Sequence, residues 1–195
     1  MVGHYIEIEG YEVFGYSRYV DLYKAMVEKA ADGDHFVEVG SFLGQSTCAM
    51  GYFIKQSKKL IKFDAVDLFE LGDWSDEPHY EIVKQYGGDF YKAFLHNLEE
   101  TKTKEYVTPI KTDSVTASQL YEPRSLNFVM IDAGHKTQEV INDIQAWLPK
   151  VKVGGYIAFD DIDWGSVKEA VDSLFYDNEI QIIGTTGIHL KTHHE

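Results

Sequence analysis

His35-Phe36-Val37-Glu38-Val39-Gly40-Ser41-Phe42-Leu43-Gly44-Gln45-Ser46-Thr47 carries a short apolar run through two glycines into a stretch of helical character. The first five residues read as a buried strand, and the pattern that resumes after Gly44 predicts a helix to about Lys58. Gly40 can bring backbone close to a ligand, while free amides and Ser46 at the helix start can receive a carboxylate. A tight strand–helix turn would use the same residues. The spacing lacks the G-x-G-x-x-G of a dinucleotide-binding loop.

Outward from this unit, apolar stretches of two periods alternate. Upstream, Tyr19, Leu22, Tyr23, Met26 and Ala30 recur at helical spacing, predicting a helix over about Ser17–Ala31 with Ser17 as its cap. Tyr5–Tyr16, rich in aromatics and glycine, has no assignable period. Downstream, strands are expected at Leu60–Val66, Tyr106–Ile110, Leu126–Ile131 and Tyr156–Phe159. Helices are expected over Asp89–Glu100, Ser114–Leu120, Val140–Leu148 and Val167–Phe175. Ile180–Ile183 and Gly187–Leu190 would close the sheet as a pair around Gly184. About seven strands and five or more helices make this an α/β chain with a doubly wound, Rossmann-like sheet, mostly parallel with an antiparallel C-terminal strand.

At 195 residues the chain suits a single domain over 1–195. Its net charge of -14 disfavours a phosphate backbone as partner, so no nucleic acid is expected. The one cysteine, Cys48, allows no internal disulfide and no cysteine zinc cluster, and reads as a core residue. No apolar run reaches membrane-spanning length, and the start lacks signal-peptide character, so a cytoplasmic protein without membrane contact is expected. A homodimer is compatible with all of this.

In such a sheet ligands gather beyond the carboxyl ends of the strands. Glu38, Asp67, Asp113, Asp132 and the pair Asp160-Asp161 all fall there. Any one of them could cap a helix; their joint placement is the stronger signal.

Glu38–Thr47, Phe63–Asp67, Thr112-Asp113-Ser114, Phe128–His135 and Leu148–Asp161, taken in order, resemble the class I S-adenosylmethionine-dependent methyltransferases. The likeness is to the small-molecule O-methyltransferases that act on sugars and catechol-like diols, and it spans roughly Glu38–Phe175. It implies S-adenosylmethionine as cofactor and the seven-stranded methyltransferase sheet. Gly40, Ser41, Gly44 and Ser46 would hold the methionine part, with Glu38 supporting the loop or the cofactor's amino group. Asp67 would accept the ribose hydroxyls, Asp113 and Ser114 would bound the adenine, and Asp132 would complete the cofactor site.

The resemblance also places Asp132, Asp160 and Asp161 at the metal positions of the divalent-ion-dependent members. Three carboxylates are hard oxygen ligands suited to Mg2+. Clustered without an ion they would push at least one pKa upward. Some sugar-modifying relatives carry a carboxylate two residues after the Asp132 position, where it can act as base; here that residue is Gly134. His135 could deprotonate a hydroxyl instead, or serve structurally, and Asp163 is another possible base or a helix cap.

Residues 69–88 read as an insertion able to cover the substrate, with Asp73, Trp74, Asp76, His79 and Tyr80 as candidate contacts. Residues 1–34, Tyr16 among them, would close from the other side. A surface loop or dimer contact is the plainer reading of the insertion. The function these features imply is metal-assisted O-methylation of a small hydroxylated molecule. The alternatives are a metal-independent N-methyltransferase, another reaction on the same fold, or a nucleotide-binding or assembly protein without catalysis.

Overall fold

A computed structural model describes residues 3–70, 77–176 and 178–192. The chain opens with a hairpin, β1 (His4–Ile8) and β2 (Tyr11–Gly15), and enters α1 (Val20–Lys29). Three parallel-strand units follow: β3 (His35–Val39) with α2 (Gln45–Ser57), β4 (Lys62–Asp67) with α3 (Glu77–Lys84) and α4 (Phe90–Glu100), and β5 (Thr108–Lys111) with α5 (Ser114–Ser118). Then come β6 (Leu126–Ile131), α6 (Thr137–Trp147), β7 (Val151–Phe159), α7 (Gly165–Leu174), β8 (Ile180–Ile183) and β9 (Thr186–Leu190).

Seven strands form one sheet in the order β5-β4-β3-β6-β7-β9-β8. β3 to β7 are mutually parallel, and β9 runs antiparallel to both of its neighbours. The expected doubly wound sheet is present, antiparallel at its C-terminal edge. Its order reverses between β3 and β6, so the crevice for a ligand lies where these two strands end.

Strand alternation divides the core in two. Phe36, Phe63, Ala65, Phe128, Met130 and Ala158 face one layer with α1, α2 and α4. Val37, Val39, Val66, Val129, Ile131, Ile157 and Phe159 face the other with α6 and α7. Both faces are covered, which is why these strands read as near-continuous apolar runs.

Four local expectations change. Tyr5–Tyr16 is a hairpin whose two-residue turn, Glu9 (φ 55°) and Gly10 (φ 84°), has the left-handed pair that matches strand twist. Ser17 does not cap α1: Tyr19 is the N-cap, with no side-chain bond to the helix amides, and the Ser17 hydroxyl donates to Gln45 Oε1 at 2.8 Å. The segment 69–88 contains α3. β7 begins at Val151, ahead of Tyr156, and runs through Gly154-Gly155 with an irregular register against β6. Among the described residues no helix is long and apolar enough to cross a membrane.

On the outer layer Asp143 of α6 is buried, and burial raises its pKa to about 6; Glu139 and Asp113 push the same way, against a Ser114 hydrogen bond. A raised carboxyl favours folding in its protonated form, so its contribution is full below about pH 4 and is lost as pH rises through about 6. Asp143→Asn is therefore expected to match the parent near pH 4. At pH 7.5 it should be more stable by up to about 3 kcal/mol. Urea midpoints at the two pH values test this; equal gains at both would show that charge is not the cause.

Candidate active site

The strand ends are held level by one staircase of backbone bonds. Thr112 N donates to Asp67 O (3.1 Å), Gly40 N to Val66 O (2.8 Å), Asp132 N to Val39 O (2.8 Å) and Asp160 N to Ile131 O (3.0 Å). The acids singled out by position thus emerge on one rim. Gly40 sits at φ +89°, and a Cβ there would overlap the Asp132 carbonyl and lie 2.8 Å from Ala133 Cα. Its role in this structure is to let the exits of β3 and β6 close together at the switch point.

Glu38 is fully buried beneath that rim. Tyr23 Oη donates to Oε1 at 2.7 Å, Ser41 Oγ to Oε2 at 2.9 Å, and Thr47 Oγ1 makes a short bond to Oε2. Burial raises the Glu38 pKa, and these hydroxyls oppose the rise. Glu38 therefore braces the Gly40–Gly44 loop from below through Ser41. Gly44, left-handed at φ 85°, is the N-cap of α2, whose first-turn amides have no partner within the helix.

Asp67 braces the loop from the side. Its Oδ2 accepts from Ser41 N (2.8 Å) and Phe42 N (3.0 Å), and its Oδ1 from Phe69 N (2.6 Å). A carboxylate offers about four acceptor positions, so in this conformation Asp67 has room for one ribose hydroxyl rather than two. Burial raises its pKa against these three backbone bonds. Asp113 is the N-cap of α5, accepting from Thr116 N at 2.9 Å. The Ser114 hydroxyl accepts from Trp147 Nε1 at 2.9 Å.

Beyond β6 and β7 the structure brings together Asp132, His135 and Asp161, one donor atom from each lying within 4.8 Å of the others. His135 Nε2 is 3.1 Å from Asp161 Oδ2 and 3.9 Å from Asp132 Oδ1. The imidazole packs on Trp164 with ring centroids 4.9 Å apart. Asp160, also expected as a carboxylate ligand, lines a small cavity with Asp132 and His135 and accepts from Thr186 Oγ1 at 2.9 Å. Asp161 has φ 52°. A left-handed residue breaks the strand's alternation, so the two adjacent acids are not related as ordinary strand neighbours. Asp163, exposed, stands at the edge of the group, 3.8 Å from Arg18.

Two residues that the sequence did not place at the site complete the cluster. Arg18 Nη2 donates to Asp161 Oδ1 at 2.6 Å, and Tyr19 Oη donates to Asp132 Oδ2 at 2.7 Å. Burial and the Asp160 charge raise the Asp132 pKa well above the usual range, against the Tyr19 bond. Burial likewise raises Asp160, with the Asp161 charge second. Burial also acts upward on Asp161, but His135 and Arg18 outweigh it and hold that carboxyl below its ordinary value. The electrostatic load of clustering thus falls on Asp132 and Asp160. Two carboxylates and an imidazole suit a divalent ion, and the imidazole widens the choice from magnesium toward manganese and other first-row metals.

Aromatic rings cover the loop. Tyr16 Oη and His79 Nε2 are 2.8 Å apart, and the Phe42 ring lies 5.7 Å from Tyr16 and 5.3 Å from His79. Tyr16 and His79 are thus together, whereas Tyr80 is exposed. Asp73, Trp74 and Asp76 lie outside the described residues. Gln45 was not foreseen. Its Nε2 donates to His4 O (2.7 Å) and Val13 O (3.0 Å), while its Oε1 accepts both from Ser17, which staples the hairpin to α2. Cys48 is buried in the core with its thiol pushed up to about 12 by burial, no setting for a nucleophile.

Residues 37–162 match a family model described as a methyltransferase domain. An uncharacterized protein of Acanthamoeba polyphaga mimivirus is 27% identical over 126 residues, 65% of this chain and 50% of that protein. The match therefore spans half the length of that curated relative. The structure of the O-methyltransferase NovP superposes with a TM-score of 0.65 at 19% identity, covering 89% of this chain and 79% of that one. A calicheamicin methyltransferase superposes with a TM-score of 0.62 at 12% identity, covering 88% and 76%. At these identities the two structures establish a shared fold.

Proposed function

Because the chain belongs to the methyltransferase-domain family, we propose that it transfers a methyl group from S-adenosylmethionine to a hydroxyl of a small molecule, with a divalent cation at Asp132, His135 and Asp161. The observation that carries this reading is the gathering of those three side chains on the rim at the switch point. NovP is an O-methyltransferase, and the calicheamicin enzyme, in a second structure, is described as a TDP-rhamnose 3'-O-methyltransferase. A sugar-like diol is accordingly the acceptor class we favour. The net charge of -14 weighs against a nucleic-acid acceptor.

When bound, the donor supplies an activated methyl on a sulfonium, and the cation lowers the proton affinity of a hydroxyl beside it. The Gly40–Gly44 loop and the first turn of α2 receive the donor's carboxylate. Asp67 takes a ribose hydroxyl. Tyr16, Phe42 and His79 exclude water above the loop. Asp132 and Asp161 orient the acceptor, and the proton leaves toward solvent past the half-exposed His135.

A second reading has its own observation: Asp161 grips His135 at 3.1 Å while Arg18 balances the same carboxylate. That is an oriented imidazole with its counter-charge supplied from within the chain, and it could serve as general base without metal. Calorimetry of S-adenosylmethionine binding, repeated with Mg2+, Mn2+ and chelator, tests both. One saturable site per chain is expected, and the metals are expected to bind separately and saturably. Absence of donor binding in folded protein, with product cofactor also silent, would overturn the transferase reading. Donor binding without metal binding would leave the imidazole-base reading.

A further inference from the structure

The link between β2 and α1 lies across the rim, and each of its four side chains is fastened to a different part of the site. Tyr16 reaches His79, Ser17 reaches Gln45, Arg18 reaches Asp161 and Tyr19 reaches Asp132. We propose that Arg18 is a tethered cation that competes with the divalent metal for Asp161, so that the affinity of the metal site is set by this strap. The inference rests on the metal reading above.

The geometry sets two cations against each other across one carboxylate. Arg18 Nη2 lies 2.6 Å from Asp161 Oδ1, the spacing of a charge-assisted bond, and the other oxygen of that carboxylate faces His135 at 3.1 Å. A guanidinium has no acceptor and does not lose its proton, so it cannot become a ligand and can only withdraw. Asp161 cannot follow it easily: its carboxyl is 2% exposed and its backbone is held left-handed at φ 52°. The movable partner is Arg18.

A place exists for it to go. Arg18 lines a cavity of about 310 Å³ between β1, α1 and α2, in which Glu7 and Asp21 also stand. Asp163, 3.8 Å away, is a third carboxylate within reach. A guanidinium leaving Asp161 would thus keep an acidic partner and free the Asp161 carboxylate of its competing charge. Since Tyr19 is bonded to Asp132, both carboxylates of the metal group are coupled to the seating of one strap. The coupling is reciprocal: metal should loosen the strap as the strap weakens metal.

The experiment is direct Mn2+ binding to the full chain, with no donor or acceptor present, read by the loss of the free-ion EPR signal. Parent, Arg18→Met, Arg18→Lys and Asp132→Asn proteins are compared after circular dichroism has shown each to be folded. Arg18→Met is expected to bind Mn2+ about tenfold more tightly than the parent, as removal of an adjacent positive charge requires. Arg18→Lys, which keeps the charge, should stay within about threefold of the parent. Asp132→Asn should lose binding. If Arg18→Met does not fold, Arg18→Gln takes its place with the same expectation. Saturable parent binding, lost in Asp132→Asn but unchanged or weakened in Arg18→Met, would overturn the role of Arg18 and leave the metal reading intact. Arg18→Lys binding as tightly as Arg18→Met would also overturn it, since bulk rather than charge would then be at work. No Mn2+ binding by any of the proteins would remove both readings together.

Discussion

Gly40→Ala is expected to lose about 4 kcal/mol or more of stability, and with it most of the donor affinity, whereas Gly33→Ala should lose only about 1 kcal/mol. The two glycines have the same backbone angle, φ +89°, so an alanine meets the same left-handed strain at both. They differ in what surrounds them. A Cβ at Gly33 meets nothing within 4 Å, whereas one at Gly40 overlaps the Asp132 carbonyl and presses on Ala133 Cα. Those are backbone atoms at the end of a central strand, tied by Asp132 N to Val39 O at 2.8 Å, and they cannot step aside as a flexible side chain would. Relief requires the exits of β3 and β6 to part, which pulls the Ser41 and Phe42 amides from Asp67. Urea unfolding of the two variants, with calorimetry of donor binding, checks this. Equal losses at the two positions would mean that only backbone strain matters and that the close approach of the two exits is dispensable.

The same comparison shows what a sequence can and cannot carry. The positions of the acids after strands were legible, because a parallel sheet puts every strand end on one rim and the apolar runs mark those ends. How the two neighbouring acids are partnered was not legible. Asp160 and Asp161 are identical side chains, separated in the structure by the left-handed backbone of Asp161 and by Thr186, which comes from β9 and binds Asp160. Arg18 had no signal at all: one basic residue ahead of a helix means nothing until the fold carries it to Asp161, 143 positions away. Tyr19 and Tyr23 carried a partial one. Their helical spacing marked them as core, which they are, but burial said nothing of hydroxyls aimed at Asp132 and Glu38. The hairpin at the start could have been read. Glu9-Gly10 between runs of alternating character is a turn signal, hidden by the aromatic residues around it.

His135→Ala should lower kcat by about 10²- to 10⁴-fold while leaving the donor's dissociation constant near that of the parent. The separation of effects follows from contacts. His135 faces Asp161, Asp132 and Trp164, and its backbone carbonyl accepts from Ser166. The Gly40–Gly44 loop is braced elsewhere, by Glu38 and Asp67. What accompanies the fall in kcat then decides between the two readings of the cluster. If His135 is a metal ligand, Mn2+ affinity falls with kcat, and raising Mn2+ recovers part of the rate. If it is the general base, Mn2+ restores nothing, and added imidazole recovers part of the rate. A kcat within threefold of the parent would exclude both roles and leave His135 as packing against Trp164. Loss of donor affinity equal to the loss in kcat would instead show that the rim and the loop are one mechanical unit, with the imidazole acting on chemistry only through the Gly40 junction.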